Sequence, residues 1–195
     1  MSRKLIPASP MSGAALDEKA YELVRRYHPA ALEEPSAFDV EALFEIDLED
    51  LTGVKPDYRD LSPGIHGLTD SEKLECIISR DLAEDPAQLF FCRSTTAHEC
   101  CHAIQHVGQF RQKRAVLRSI HDSDHVSLRL YREDAIPLYM NPEWQAWRMA
   151  GALLMPAKAI ANALERGYGI SDMANIFQVN KPFVLARLRA LKIIE

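Results

Sequence analysis

No apolar run in this 195-residue chain approaches the ~18 residues a membrane-spanning helix needs. The longest candidate, residues 150–157, stops at Lys158, so no transmembrane span and no membrane partner are expected. Arg3 and Lys4 are not followed by an apolar stretch, so no secretory signal is expected either. Cysteine is scarce: four are too few for a disulfide scaffold at this size, and two of them, Cys100 and Cys101, are adjacent. Together these absences point to a reducing cytosol and a cytoplasmic protein. No internal repeat or low-complexity tract is visible. Hydrophobic residues at 47% and charged residues at 26% match an ordinary globular chain, which excludes disorder over most of the length. The length fits one domain, or one domain with a small appendage.

Charge is unevenly spread. Residues 1–92 carry 9 Lys+Arg against 19 Asp+Glu, a net −10, while residues 93–195 carry 14 against 9, a net +5. The overall −5 gives no general affinity for nucleic acid, although the basic half permits a local patch.

Residues 1–16 show little periodicity and are expected to be loose. Ala20, Leu23, Val24 and Tyr27 share one helical face, and Pro29 stops that helix. A second helical stretch opens at Pro35-Ser36, with Phe38, Val40, Leu43 and Phe44 apolar, and turns at Gly53. Three short strands follow in the pattern: residues 54–58, whose Pro56 suits only a sheet edge, residues 65–69, and residues 74–78. A long helix begins near Ala87 to Phe90, or after Ser94-Thr95-Thr96, and runs to about Val107, with Gly108 as its expected cap. A short strand is expected at residues 126–131. Asn141-Pro142-Glu143 marks a strong helix start, with Asn as N-cap, Pro at the first position and an acid in the first turn. That helix reaches Leu154; Pro156 starts another, and two short helices follow near residues 171–177 and 181–191.

The chemistry lies in the long helix. Residues 98–102 read His98-Glu99-Cys100-Cys101-His102, the pattern H-E-x-x-H. Residues four apart stand ~40° apart on a helix, so both imidazoles face one side and can bind one Zn²⁺ at ~2.0–2.1 Å. Glu99 points about a quarter turn away, where it can take a proton from metal-bound water as general base. A catalytic zinc wants a third protein ligand. The longer H-E-x-x-H-x-x-G-x-x-H pattern is excluded, because Gln105 and Gly108 occupy its Gly and His positions. A straight helix carries His106 ~6 Å past His102, which suits a core or supporting role better than ligation. Glu143 is the stronger candidate, although a first-turn Glu ordinarily serves only the helix dipole. Cys101 lies toward the metal side, but a small buried hydrophobe is its ordinary role. The run His121-Asp122-Ser123-Asp124-His125 reads as a solvated loop rather than a second metal site. Tyr131 and Tyr139 are candidates to stabilise an oxyanion, without geometry to choose between them.

Residues 143–156 read Glu143-Trp144-Gln145-Ala146-Trp147-Arg148-Met149-Ala150-Gly151-Ala152-Leu153-Leu154-Met155-Pro156. This segment resembles the E-x-x-A-N-x-F-A-x-x-L-L-M-P stretch of the ImmA/IrrE family of zinc metallo-endopeptidases. In that family an H-E-x-x-H helix, preceded by a strand, lies upstream. The resemblance follows the order of elements over about residues 40–190, and its specific motifs occupy about twenty residues. Trp147 stands for the family's Asn, Met149 for its Phe, and Cys100-Cys101 for the usual Leu-Gly. The resemblance implies zinc ligands His98, His102 and Glu143, with Glu99 as the catalytic base. It also implies an α+β, zincin-like metallopeptidase fold in which a small twisted sheet packs on the H-E-x-x-H helix. A cytosolic endopeptidase is expected, cutting a protein substrate such as a helix-turn-helix repressor or an antitoxin. The competing expectation is a non-catalytic transcriptional regulator, or a toxin–antitoxin type partner, with a structural zinc.

The tail resembles a helix-turn-helix. Met173, Ala174 and Phe177 would pack inward, Val179 would sit in the turn, and Leu185, Leu188 and Leu191 would anchor the second helix. That helix begins Asn180-Lys181-Pro182-Phe183, which offers little to read bases. No sequence-specific DNA binding is expected, and Lys181, Arg187, Arg189 and Lys192 can at most contact phosphates. The expected division is thus a loose 1–16, a metallopeptidase domain at 17–155, and a helical appendage at 156–195.

Overall fold

The computed structural model describes residues 3–121 and 127–195. The fold is mixed α+β and mostly helical (63%), with small sheets. No helix among the described residues is long and apolar enough to cross a membrane.

The chain begins with β1 (Lys4–Leu5) and helix α1 (Gly13–Tyr27). The Ser12 side chain accepts from the Ala15 N–H and so starts α1. The expectation of a loose 1–16 is therefore corrected over its described part. β1 pairs antiparallel with β5 (Tyr131–Arg132), and the Ala8 and Met11 N–H groups donate to the Met140 and Tyr139 carbonyls. These partners lie more than 100 residues away, so no local periodicity announces them. The second helical stretch starts only at Val40, where Asp39 accepts from the Ala42 N–H. α2 (Val40–Ala42) passes through a π turn at Leu43–Asp47 into α3 (Leu48–Thr52), and Gly53 closes it at φ 71°, as its position suggests.

The three expected strands form one sheet: β2 (Lys55–Arg59), β3 (Gly67–Asp70) and β4 (Glu75–Ser79), in the order β2-β4-β3. β4 is central and fully apolar at Cys76, Ile77 and Ile78. β2 runs parallel to it and β3 antiparallel. Pro56 lies on the edge strand β2, where its missing N–H costs least. After the short α4 (Arg80–Ala83) comes α5 (Leu89–His102), which lies against β3 and β4 on one side. Residues 93–101 of α5 are all buried. A helix covered on every side is a central element.

α5 does not stop at Gly108. A π turn at Ala103–Val107 carries it directly into α6 (Gly108–His121), with Gly108 itself helical at φ −58°. The expected cap is thus a correction: the wide turn absorbs the change of register, and the chain goes on. Of the strand expected at 126–131 only Tyr131 is in a strand; residues 127–130 are irregular. Val126 and the run 122–125 lie outside the described residues.

α7 (Pro142–Leu154) begins as its sequence indicates: Asn141 Oδ1 accepts from the Glu143 and Trp144 N–H groups at 2.9 and 3.2 Å. Its face of Ala146, Met149, Ala150, Leu153 and Leu154 is fully buried, between α1 and α5. α8 (Ala157–Glu165), α9 (Ile170–Phe177) and α10 (Lys181–Ala190) follow. Met173, Ala174, Phe177 and Val179 are buried as expected. In α10 the anchors are Val184 and Leu188, while Leu185 and Leu191 are only half-buried. Leu16, Phe44, Ile78 and Leu153 belong to the same hydrophobic cluster as Ile160, Phe177 and Leu188. The last three helices therefore share the core of the rest of the chain.

Arg187 ties them further. It is 3% exposed, donates to the Met155 carbonyl at 3.0 Å, and pairs with Asp17 of α1 at 2.8 Å. Arg148 of α7 meets the same carboxylate. Arg187 is thus a structural cation, not the exposed phosphate contact that its place in the sequence suggests.

Candidate metal centre

Two helices meet where the motif residues lie. α5 presents His98 and His102 one turn apart, and the first turn of α7 presents Glu143 opposite them. The ligating atoms of these three side chains all lie within 4.8 Å of one another. His98 Nε2 and His102 Nε2 are 3.0 Å apart. Glu143 Oε2 lies 3.6 Å from His98 Nε2, and its Oε1 lies 3.5 Å from His102 Nε2. Two imidazole nitrogens and a carboxylate oxygen gathered in this way could hold a metal ion. His98 Nδ1 is buried without a hydrogen-bond partner among the described residues.

The surroundings hold the donor groups in the protonation states that metal binding needs. Burial pushes the Glu143 carboxyl up, but the His98 ring and the Arg3 guanidinium, whose Nη1 donates to Glu143 Oε2 at 3.0 Å, outweigh it and hold the group below the usual carboxylate range. Burial first, then the neighbouring His98, His106 and Arg3, holds the His102 imidazole well below its ordinary value. His102 is therefore neutral near pH 7, as a ligand must be.

Glu99 stays out of the ligand set and shares its cleft. Glu99 is 8% exposed, and Thr69 Oγ1 of β3 lies 2.7 Å from its Oε2 and donates to it. Burial pushes the Glu99 carboxyl up, against the lowering effects of His98 and Thr69. Gly67, also on β3, faces the same side chain so closely that a Cβ there would lie 2.6 Å from Glu99 Cγ. The cleft, of about 260 Å³, is walled by Gly67, Leu68 and Thr69 on one side and by Arg3, Leu5 and Phe110 on others, with His98, Glu99, His102 and Glu143 at its base.

The remaining candidates sort clearly. Cys101 is fully buried in the hydrophobic cluster, and burial pushes its thiol up, so it behaves as a small hydrophobe outside the ligand set. His106 is 1% exposed and does not ligate; its Nδ1 lies 3.0 Å from His102 Nδ1. Tyr131 and Tyr139 are 39% and 51% exposed and neither lines the cleft. The His121–His125 run lies outside the described residues or, at His121, without a described side chain.

Several contributors carry no signal in the sequence. Arg3, Gly67 and Thr69 reach the site through β1 and β3, and no motif marks them. Gln145 holds His106 from α7. Trp147, which the sequence marks only as a departure from the family pattern, packs its ring on His98 with centroids 4.1 Å apart. That contact fixes the His98 ring from one face.

No family model matches the chain, and no curated protein matches it in sequence. Among solved structures it is similar to a chain described as a Mycobacterium tuberculosis transcriptional regulator, with a TM-score of 0.58 and 17% identity. The match covers 89% of this chain and 46% of that one, so this chain spans about half the length of its structural relative. At that identity the likeness is one of fold.

Proposed function

We propose that the protein is a zinc-dependent metallo-endopeptidase acting on a partner regulatory protein, such as a transcriptional repressor. One observation carries this reading: His98, His102 and Glu143 converge on one point with a buried carboxylate, Glu99, beside them in an open cleft. The zincin-like arrangement fits the packing of α5 against β3 and β4. The family resemblance supplies the substrate class.

Bound zinc would supply Lewis-acid polarisation of the scissile carbonyl and a more acidic water. The chain's own residues do the rest. Thr69 holds one oxygen of Glu99 and leaves the other to accept a proton. Burial raises the basicity of Glu99, which suits a proton acceptor, and Glu99 can then return the proton to the leaving amine. β3 is an edge strand of its sheet and lines the cleft, so an extended peptide can pair along it.

The competing reading is a non-catalytic transcriptional regulator, or a toxin–antitoxin type partner, with a structural zinc; the structural relative is described as a transcriptional regulator, a likeness of fold that leaves the two readings to experiment. Glu99→Gln separates the two. Gln is nearly isosteric but accepts no proton, so zinc content should stay and cleavage of candidate repressors should fall by ~10²–10⁴. Equal cutting by both proteins would remove Glu99 as the base. No cutting by either, with retention of a DNA probe, would establish the regulator.

A further inference from the structure

We propose that His106 and Gln145 are positioning residues that lock His102 in the tautomer whose Nε2 lone pair faces the metal site. The inference rests on the reading of His98, His102 and Glu143 as ligands, and it deepens that reading.

Gln145 is fully buried, and its amide nitrogen donates to two carbonyls, Ser9 O at 2.9 Å and Tyr139 O at 2.8 Å. Turning the amide over would set its oxygen against both carbonyl oxygens, so these two acceptors fix its orientation. Gln145 Oε1 can therefore only accept, and it lies 3.0 Å from His106 Nε2. That nitrogen carries the proton. A neutral His106 ring then has its lone pair on Nδ1, which lies 3.0 Å from His102 Nδ1. His102 must donate there, which leaves its Nε2 as a bare lone pair toward His98 Nε2 and Glu143 Oε1.

The backbone is built for this contact. The π turn at Ala103–Val107 starts directly after His102 and sets the His106 ring beside it, with ring centroids 5.0 Å apart. π turns inside helices frequently mark functional positions. Gln145 stands two residues after Glu143 on α7, so one hydrogen-bonded chain joins the two helices that provide ligands. It also anchors to the N-terminal segment through Ser9 O. Such supports orient a ligating imidazole and raise its basicity, and their loss typically weakens metal binding 10–100-fold.

The test uses the full chain, first metal-free, with ¹⁵N-labelled histidine and long-range ¹H–¹⁵N correlation of the imidazole nitrogens. Wild type should show His102 protonated at Nδ1 and His106 at Nε2. His106→Leu, which accepts nothing, should lose the uniform Nδ1–H state of His102 and bind zinc 10–100-fold more weakly in a chelator competition. His106→Gln, whose amide oxygen can accept from His102, should recover part of both. A wild-type His102 protonated at Nε2 would overturn the proposal without any variant. So would a folded His106→Leu protein with an unchanged His102 tautomer and wild-type zinc affinity. A wild-type chain with the expected tautomers and no zinc affinity would sink the metal reading alone and leave the positioning role standing.

Discussion

Gly67→Ala is the smallest change that reaches the proposed base without touching a ligand. A Cβ at position 67 would lie 2.6 Å from Glu99 Cγ, 2.8 Å from Oε1 and 3.0 Å from Cδ. Ordinary contact begins near 3.4 Å, so the side chain must move by about 1 Å. It cannot do so freely, because Thr69 holds its other oxygen at 2.7 Å. Swinging Glu99 away gives up a hydrogen bond to a charged acceptor, worth about 1.5–3 kcal/mol. A displacement of ~1 Å in a catalytic group typically costs ~10²-fold in rate. The Gly67→Ala protein should therefore keep its zinc and lose about 10²-fold in kcat/KM on a cleavable protein substrate. Zinc stoichiometry and cleavage rate are measured side by side on the same preparation. Full activity would show that Glu99 tolerates displacement and is not the base. Loss of zinc together with activity would show that position 67 supports the ligands rather than Glu99.

Asp17→Asn removes the anion that pairs with Arg187 among the described residues, where the Arg187 side chain is 2% exposed. Breaking a buried pair costs about 3–5 kcal/mol; Asp17 keeps partial access to water, so about 2–4 kcal/mol is expected here, seen as a thermal midpoint lower by roughly 6–12 °C. An unchanged midpoint would mean that the Asp17–Arg148–Arg187 cluster does not tie α1, α7 and α10 together. Burial pushes the Cys76, Cys100 and Cys101 thiols up, so few thiolates form near pH 8. Native protein should show at most one reactive thiol, the half-buried Cys92, against four after denaturation; rapid labelling of Cys101 would reopen it as a ligand. DNA binding by the full chain should be insensitive to sequence and largely gone between ~50 and ~200 mM salt. Tight binding to one sequence at the higher salt would show that α10 reads bases.

What could be read from the sequence was what local chemistry encodes. Asn141-Pro142-Glu143 caps α7 through contacts two and three residues away, so the start of that helix, and with it the place of Glu143, was legible. The i, i+4 pair His98 and His102 was legible for the same reason. The apolar, β-branched run around Ile77 between charged flanks located β4. Long-range order was not legible. Residues 4–11 are held by backbone bonds to residues 131–140, which no pattern within either segment reveals. Gly67 and Thr69 meet Glu99 across about 30 residues of chain, only because β3 lies against α5. The π turn after His102 has no residue signature, so Gly108 read as a stop and His106 read as distant. His106 itself carried a usable hint, since it repeats the four-residue spacing from His102.

The most direct test of the account is the zinc content of the purified chain beside His98→Ala and Glu143→Ala. The three ligating groups gathered within 4.8 Å predict about one zinc per wild-type chain, with extensive loss in both variants while the fold, followed by circular dichroism, is kept. Full zinc occupancy in Glu143→Ala would remove α7 from the site. An unchanged content in His98→Ala would contradict the metal centre altogether.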